Sequence, residues 1–119
     1  MLKRIFDSFS FAWNGLRTTW REEQNFKIEV VGATLVIFFI FYFRFSFVES
    51  ALCIMAITIV LSAEIINTAL EDLCDKIESR HDPIIGKVKD TTGAFVLISV
   101  LGATIVGALV FYHHLFYNI

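Results

Sequence analysis

The sequence predicts an all-α membrane protein: an N-terminal amphipathic helix lying in the bilayer interface, then three transmembrane helices. Three observations carry that expectation. Of 119 residues, 56% are hydrophobic and 18% are charged, whereas an ordinary soluble domain is about 25% charged. The mean hydropathy is +0.68. The apolar residues are also concentrated: residues 91–112 form a run of 22 without Asp, Glu, Lys or Arg. A run above about 18 such residues is long enough to cross a bilayer as a helix.

Residues 1–22 bring Leu2, Ile5, Phe6, Phe9, Ala12, Trp13, Leu16 and Trp20 onto one helical face. Lys3, Arg4, Asp7, Asn14 and Arg17 fall elsewhere on the wheel, the pattern of a helix lying along the membrane surface. The same charges interrupt any continuous apolar stretch of the kind a signal peptide needs. Residues 28–48 hold an uncharged run of 14, from 30 to 43, with Glu29 and Arg44 near the ends, where long side chains can reach the interface. Residues 50–70 carry no charged residue but Glu64, and residues 91–112 complete the third span. No repeat and no Gly/Ser- or Pro-rich linker divides the chain, so it reads as one domain.

Charge sorts the remaining possibilities. Ten Lys and Arg against twelve Asp and Glu give a net charge of −2, which leaves no polycation to bind nucleic acid. Cys53 and Cys74 have neither CxxC spacing nor the numbers for a disulfide framework. Lys3, Arg4, Arg17, Arg21 and Lys27 precede the first span, and Lys76, Arg80, Lys87 and Lys89 lie between the second and third. The first connection has Arg44 alone. Basic residues stay in the cytoplasm, so the N-terminus and the 71–90 connection are expected there, with the C-terminus outside. His113 and His114 then fall at the far interface, an easier reading for them than metal ligation.

Glu64 needs a reason, because a charged group at the centre of a span costs at least about 2.5–3.5 kcal/mol on insertion scales. Glu64, Asn67 and Glu71 stand at i, i+3 and i+7, within one helical arc, and Asp75 continues the stripe. Glu22 and Glu23 stand where the interfacial helix meets the first span. The 71–90 connection adds Glu78, Arg80, His81, Asp82, Lys87, Lys89 and Asp90. Carboxylates at two depths with cations nearby suit Mg²⁺ on a polyphosphate, and a deeper carboxylate suits proton abstraction from an alcohol. No phosphate-binding GxxxxGK[ST] loop is present. From spacing alone, a membrane enzyme using metal and phosphate, a proton or ion conduit through Glu64 and Asn67, and a non-catalytic helical subunit all stay open.

The stretch Ala63-Glu64-Ile65-Ile66-Asn67-Thr68-Ala69-Leu70-Glu71 narrows the choice, together with Gly86-Lys87-Val88-Lys89-Asp90, Trp13-Asn14-Gly15-Leu16-Arg17 and Glu23-Gln24-Asn25-Phe26. In that order, over nearly the whole chain, these resemble the motifs of the small prokaryotic integral-membrane diacylglycerol kinases and undecaprenol kinases. The resemblance implies a homotrimer of three-span protomers that transfers the γ-phosphoryl group of MgATP to the hydroxyl of a membrane lipid. It implies Glu64 as the general base, with Asn67 supporting the phosphoryl group or orienting Glu64, and Glu23 and Glu71 as Mg²⁺ ligands beside ATP. Lys89 and Asp90 would contact the nucleotide, as would Arg4 and Phe11 and, in the connecting loop, Arg80, His81 and Asp82. Arg17, Trp20 and Gly93 would lie near the lipid headgroup. The loop departs from the family pattern at Arg80-His81-Asp82-Pro83, and Glu29 stands where the family commonly has His. The Glu23-Gln24-Asn25-Phe26 opening is closer to the undecaprenol kinases, although the hydroxyl chemistry is the same for undecaprenol and diacylglycerol.

Overall fold

A computed structural model describes residues 1–117 as four helices: α1 (Leu2–Glu22), α2 (Gln24–Tyr42), α3 (Phe47–Ile77) and α4 (Pro83–Tyr117). The last three are long and apolar enough to cross a membrane. α1 and α2 are separated by Glu23 alone, whose extended backbone (φ −110°, ψ 112°) closes one helix and opens the other.

The helix ends differ from the expected spans, each for a local reason. α2 stops at Tyr42 rather than continuing to residue 48, because Arg44 adopts φ 54° and the Phe45 N–H turns back to the Ile40 carbonyl at 3.0 Å. Its 19 residues still span roughly 28 Å at 1.5 Å per residue. Ser46 then starts α3 in a capping box: the Glu49 N–H donates to Ser46 Oγ at 3.1 Å and the Ser46 N–H donates to Glu49 Oε1 at 2.8 Å. α3 and α4 run past the expected limits of 50–70 and 91–112, to 31 and 35 residues. The expected 71–90 connection therefore shrinks to residues 78–82. Asp82 closes it by accepting the Ile84 and Ile85 N–H groups on Oδ2, both at 3.0 Å. Pro83, at the first helical position, loses no hydrogen bond there.

α3 and α4 pack antiparallel along most of their length, α2 lies against α3, and α1 touches both α2 and α3. Among the described residues, five apolar side chains are buried, Phe26, Cys53, Ala63, Cys74 and Val110, against six polar ones: Thr19, Glu49, Glu64, Asn67, Thr68 and Ser99. That balance inverts a water-soluble core and fits helices joined by hydrogen bonds and small residues in lipid. Cys53 and Cys74 are unbonded thiols.

The two ends of the α3–α4 pair are fastened differently. At one end Glu49 is 3% exposed, and His113 and His114 each donate Nδ1–H to its carboxylate, at 3.3 and 3.1 Å. Phe45 lies against both the His114 ring, at 4.8 Å between centroids, and the Phe111 ring, at 5.2 Å. At the other end Lys89 on α4 pairs with Asp75 on α3.

Candidate active site

α3 builds the site. Glu64, Asn67 and Thr68 are buried on its packed face, and Glu71 is half-buried one turn beyond Asn67. The Thr68 hydroxyl donates to the Glu64 carbonyl at 2.9 Å, satisfying itself within the helix and leaving the Glu64 carboxylate unengaged by it. Asn67 Nδ2 donates to Glu71 Oε1 at 3.4 Å, so the amide orients the outer carboxylate. Asn67 Oδ1 is buried without a hydrogen-bond partner among the described residues. An acceptor held in that position can receive a donor from a bound molecule or a partner chain.

The turn between α1 and α2 brings a third carboxylate to the row. Glu23 is half-buried and lies within electrostatic reach of Glu71, Asp72 and Glu22. Its carboxyl is raised above the ordinary value, first by burial and then by those like charges. Glu64 is within reach of both Glu23 and Glu71. The three residues come together within one chain, and none is in an ion pair among the described residues. Like charges crowded without a cation form a site that a divalent ion or a cationic group would relieve.

Glu29, read from the sequence as the edge of a span, packs towards Glu64 from α2. Its Oε2 is buried without a hydrogen-bond partner among the described residues. It lies at one end of an apolar groove of about 490 Å³ formed by α2, α3 and α4. No spacing in the sequence links residues 29 and 64; only the packing of α2 on α3 does.

Mg²⁺ fits this arrangement in one particular way. Among the described residues no three His, Cys, Asp or Glu side chains form a metal cage. Mg²⁺ does not require one, since it is commonly held by one or two carboxylates together with phosphate oxygens. Glu23 and Glu71 supply that number of carboxylates, with Asn67 already holding one of them.

The outlying residues fall into two groups. Lys89 is tied to Asp75 a turn beyond Glu71, and Asp90 beside it is exposed. Arg4 and Phe11 are exposed on α1, and no hydrogen bond, ion pair or ring contact joins their side chains to the carboxylates among the described residues. Arg80 bonds Glu78 at 3.2 Å, Asp82 is occupied in capping α4, and His81 is exposed between them. Arg17 and Trp20 line a cleft between α1, α2 and α3, while Gly93 is exposed with open space around it.

Sequence comparison shows which proteins this chain is similar to. The pattern of the family described as prokaryotic diacylglycerol kinase matches residues 10–111. The chain is 30% identical over 111 residues to the diacylglycerol kinase of Escherichia coli strain K12, covering 93% of this chain and 91% of that one. It is 32% identical over 110 residues to the undecaprenol kinase of Bacillus subtilis strain 168, covering 92% and 89%. The diacylglycerol kinase of Haemophilus influenzae is 27% identical over 112 residues, covering 93% and 95%.

Proposed function

The chain belongs to the prokaryotic diacylglycerol kinase family, and we propose that the carboxylate row of α3 transfers the γ-phosphoryl group of MgATP to the hydroxyl of a membrane lipid. As a family member with relatives named diacylglycerol kinase and undecaprenol kinase, it is a lipid kinase, a phosphotransferase acting on an alcohol group. The observation that carries the residue assignment is the buried Glu64 carboxylate in an apolar helix, one turn before the Asn67–Glu71 hydrogen bond and within electrostatic reach of Glu23.

Glu64 accepts the proton of the lipid hydroxyl. The alcohol oxygen forms its bond to the γ-phosphorus as the bond from phosphorus to the β–γ bridging oxygen breaks, and ADP departs with that electron pair. Glu23 and Glu71 would hold Mg²⁺, and the ion would supply charge neutralisation for the transferring phosphoryl group. Asn67 fixes Glu71 and keeps Oδ1 available to the bound molecules. Lys89 and Asp90 serve the nucleotide, with Lys89 exchanging Asp75 for phosphate; Arg4, Phe11, Arg80, His81 and Asp82 form its outer surroundings. Arg17, Trp20 and Gly93 serve the lipid headgroup.

α1 lies in the membrane interface, and the protein sits in the bacterial cytoplasmic membrane with its N-terminus and the α3–α4 connection inside and its C-terminus outside. The distribution of Lys and Arg supports that orientation. The family resemblance supports a homotrimer as the assembly, and the apolar faces left exposed on all three spanning helices leave surface for other copies as well as for lipid. The test is a labelled-ATP assay in mixed micelles that offer undecaprenol and diacylglycerol side by side. Label is expected in at least one lipid; label in neither would end the kinase reading.

A further inference from the structure

Two of the chain's three histidines, His113 and His114 on α4, converge on one buried carboxylate, Glu49 on α3. The Ser46 N–H also donates to that carboxylate, so Glu49 is fixed at the start of its own helix, and the imidazoles carry its hold on α4. Rings pack around the contact: Phe43 and Phe45 lie against His114, and Tyr117 stacks on His113. The side chain of His113 is 57% exposed and that of His114 17%, so protons of the surrounding solution reach the imidazoles while the carboxylate stays shielded. The other titratable or charged side chains at this end, among the described residues, are Tyr42 closing α2, Arg44 in the α2–α3 connection, Cys53 one turn along α3, and Tyr112 and Tyr117 on α4. The ordinary titration values of all these types lie above pH 8.

Histidine is the side chain that ordinarily changes charge between pH 5 and 8. A neutral imidazole gives the carboxylate one N–H hydrogen bond. An imidazolium gives the same bond together with a Coulomb attraction, which solvent and salt screen less at a shielded carboxylate than at the surface. The added hold is therefore present in acid and lost as pH rises through the imidazole range. Glu49 and Glu71 stand on one helix, roughly 33 Å apart at 1.5 Å per residue, which is about the thickness of the hydrocarbon core of a bilayer. The histidine contact and the carboxylate row consequently face solutions on opposite membrane surfaces. We propose that Glu49, His113 and His114 form a proton-operated clasp, which binds the far ends of α3 and α4 more tightly when the solution on that surface turns acidic.

The test compares the full-length protein with the double variant His113→Asn/His114→Asn in neutral detergent. Asparagine places an amide N–H where histidine has Nδ1, so the variant keeps both donors and cannot take up a proton. Thermal unfolding midpoints are measured at pH 5.5, above the ordinary carboxyl values and below that of imidazole, and at pH 8, above both. Every other titrating group is common to the two proteins, so the difference between their midpoints isolates the histidines. The wild type is expected to exceed the variant by about 3 °C or more at pH 5.5, with the gap closing to within a degree or so at pH 8. A gap of equal size at both pH values, a gap that widens towards pH 8, or no gap at either would overturn the proposal. A purely structural contact gives the first of these results. Should the double variant fail to fold, Glu49→Gln replaces it: this side chain keeps an acceptor for the Ser46 N–H but has no charge, and its deficit against the wild type must widen in acid. No phosphoryl transfer is measured, so the result is separate from that of the kinase assay.

Discussion

Glu64 and Glu23 are both carboxylates of the proposed site, yet their surroundings give them opposite tests. Glu64→Gln keeps the size and hydrogen-bonding capacity of the side chain but cannot take a proton. It is expected to lower lipid phosphorylation by at least about 10²-fold, the usual range for a lost general base, while circular dichroism stays that of the parent. Activity within a few-fold of wild type would remove Glu64 from that role. Glu23 holds its proton to higher pH than an ordinary carboxyl, through burial and then through Glu71, Asp72 and Glu22. Its folded value is raised, so without metal its ionisation destabilises the fold as pH rises through that value, and Glu23→Gln should be neutral or stabilising to heat at pH 7. Metal needs the ionised form, so the Mg²⁺ concentration for half-maximal activity should rise as pH falls from 7 towards 5. Titrating Mg²⁺ across that range checks the sign; a flat profile counts against Glu23 as a ligand. The sequence made Glu64, Asn67 and Glu71 visible because one helix carries all three at regular spacing. Glu29 was invisible as a neighbour of Glu64 because its nearness depends on how α2 leans on α3.

At the level of the helices, apolar run length located the three spans but not their ends, which are decided by single residues. Arg44 in the left-handed region ends α2 early, and Asp82 starts α4 where residues 83–90, with Lys87, Lys89 and Asp90, read as loop. Charged residues at 71–77 likewise continue α3 beyond its apolar part. Ser46-x-x-Glu49 is a capping-box signature readable from sequence, but the second task of Glu49, accepting from His113 and His114, joins residues 64 and 65 positions apart. The two tasks predict unequal costs. Ser46→Ala removes one cap bond and should cost about 0.5–2 kcal/mol. Glu49→Ala leaves the Ser46 N–H and two imidazoles without their acceptor and should cost more, at least roughly 3 kcal/mol, given about 1.5–3 kcal/mol for each hydrogen bond to a charged group. Thermal unfolding in detergent ranks the two; equal costs would mean that the histidines contribute nothing to the end of the bundle.

Across the whole molecule, the proposed function puts stability and chemistry at different ends. The Lys89–Asp75 pair has side chains 38% and 57% exposed, and a pair so open to solvent contributes at most about 1 kcal/mol. Lys89→Met should therefore leave the unfolding midpoint almost unchanged while raising the KM for ATP about tenfold or more. A large loss of stability with an unchanged KM would make the pair structural instead. α1, by contrast, is joined to the rest of the chain by one residue, Glu23, which is also the carboxylate that meets Glu71 across the turn. A joint of that length has no slack: α1 cannot rock against α2 without swinging this carboxyl group towards or away from its partners. A glycine inserted between Glu23 and Gln24 should thus spare every helix and still uncouple the site, seen as an intact helical spectrum with Mg²⁺ dependence lost. On the proposed reading, in which α1 lies in the membrane interface and Glu23 binds Mg²⁺, the short hinge would work as a lever that ties the depth of that helix to the bite of a metal clamp.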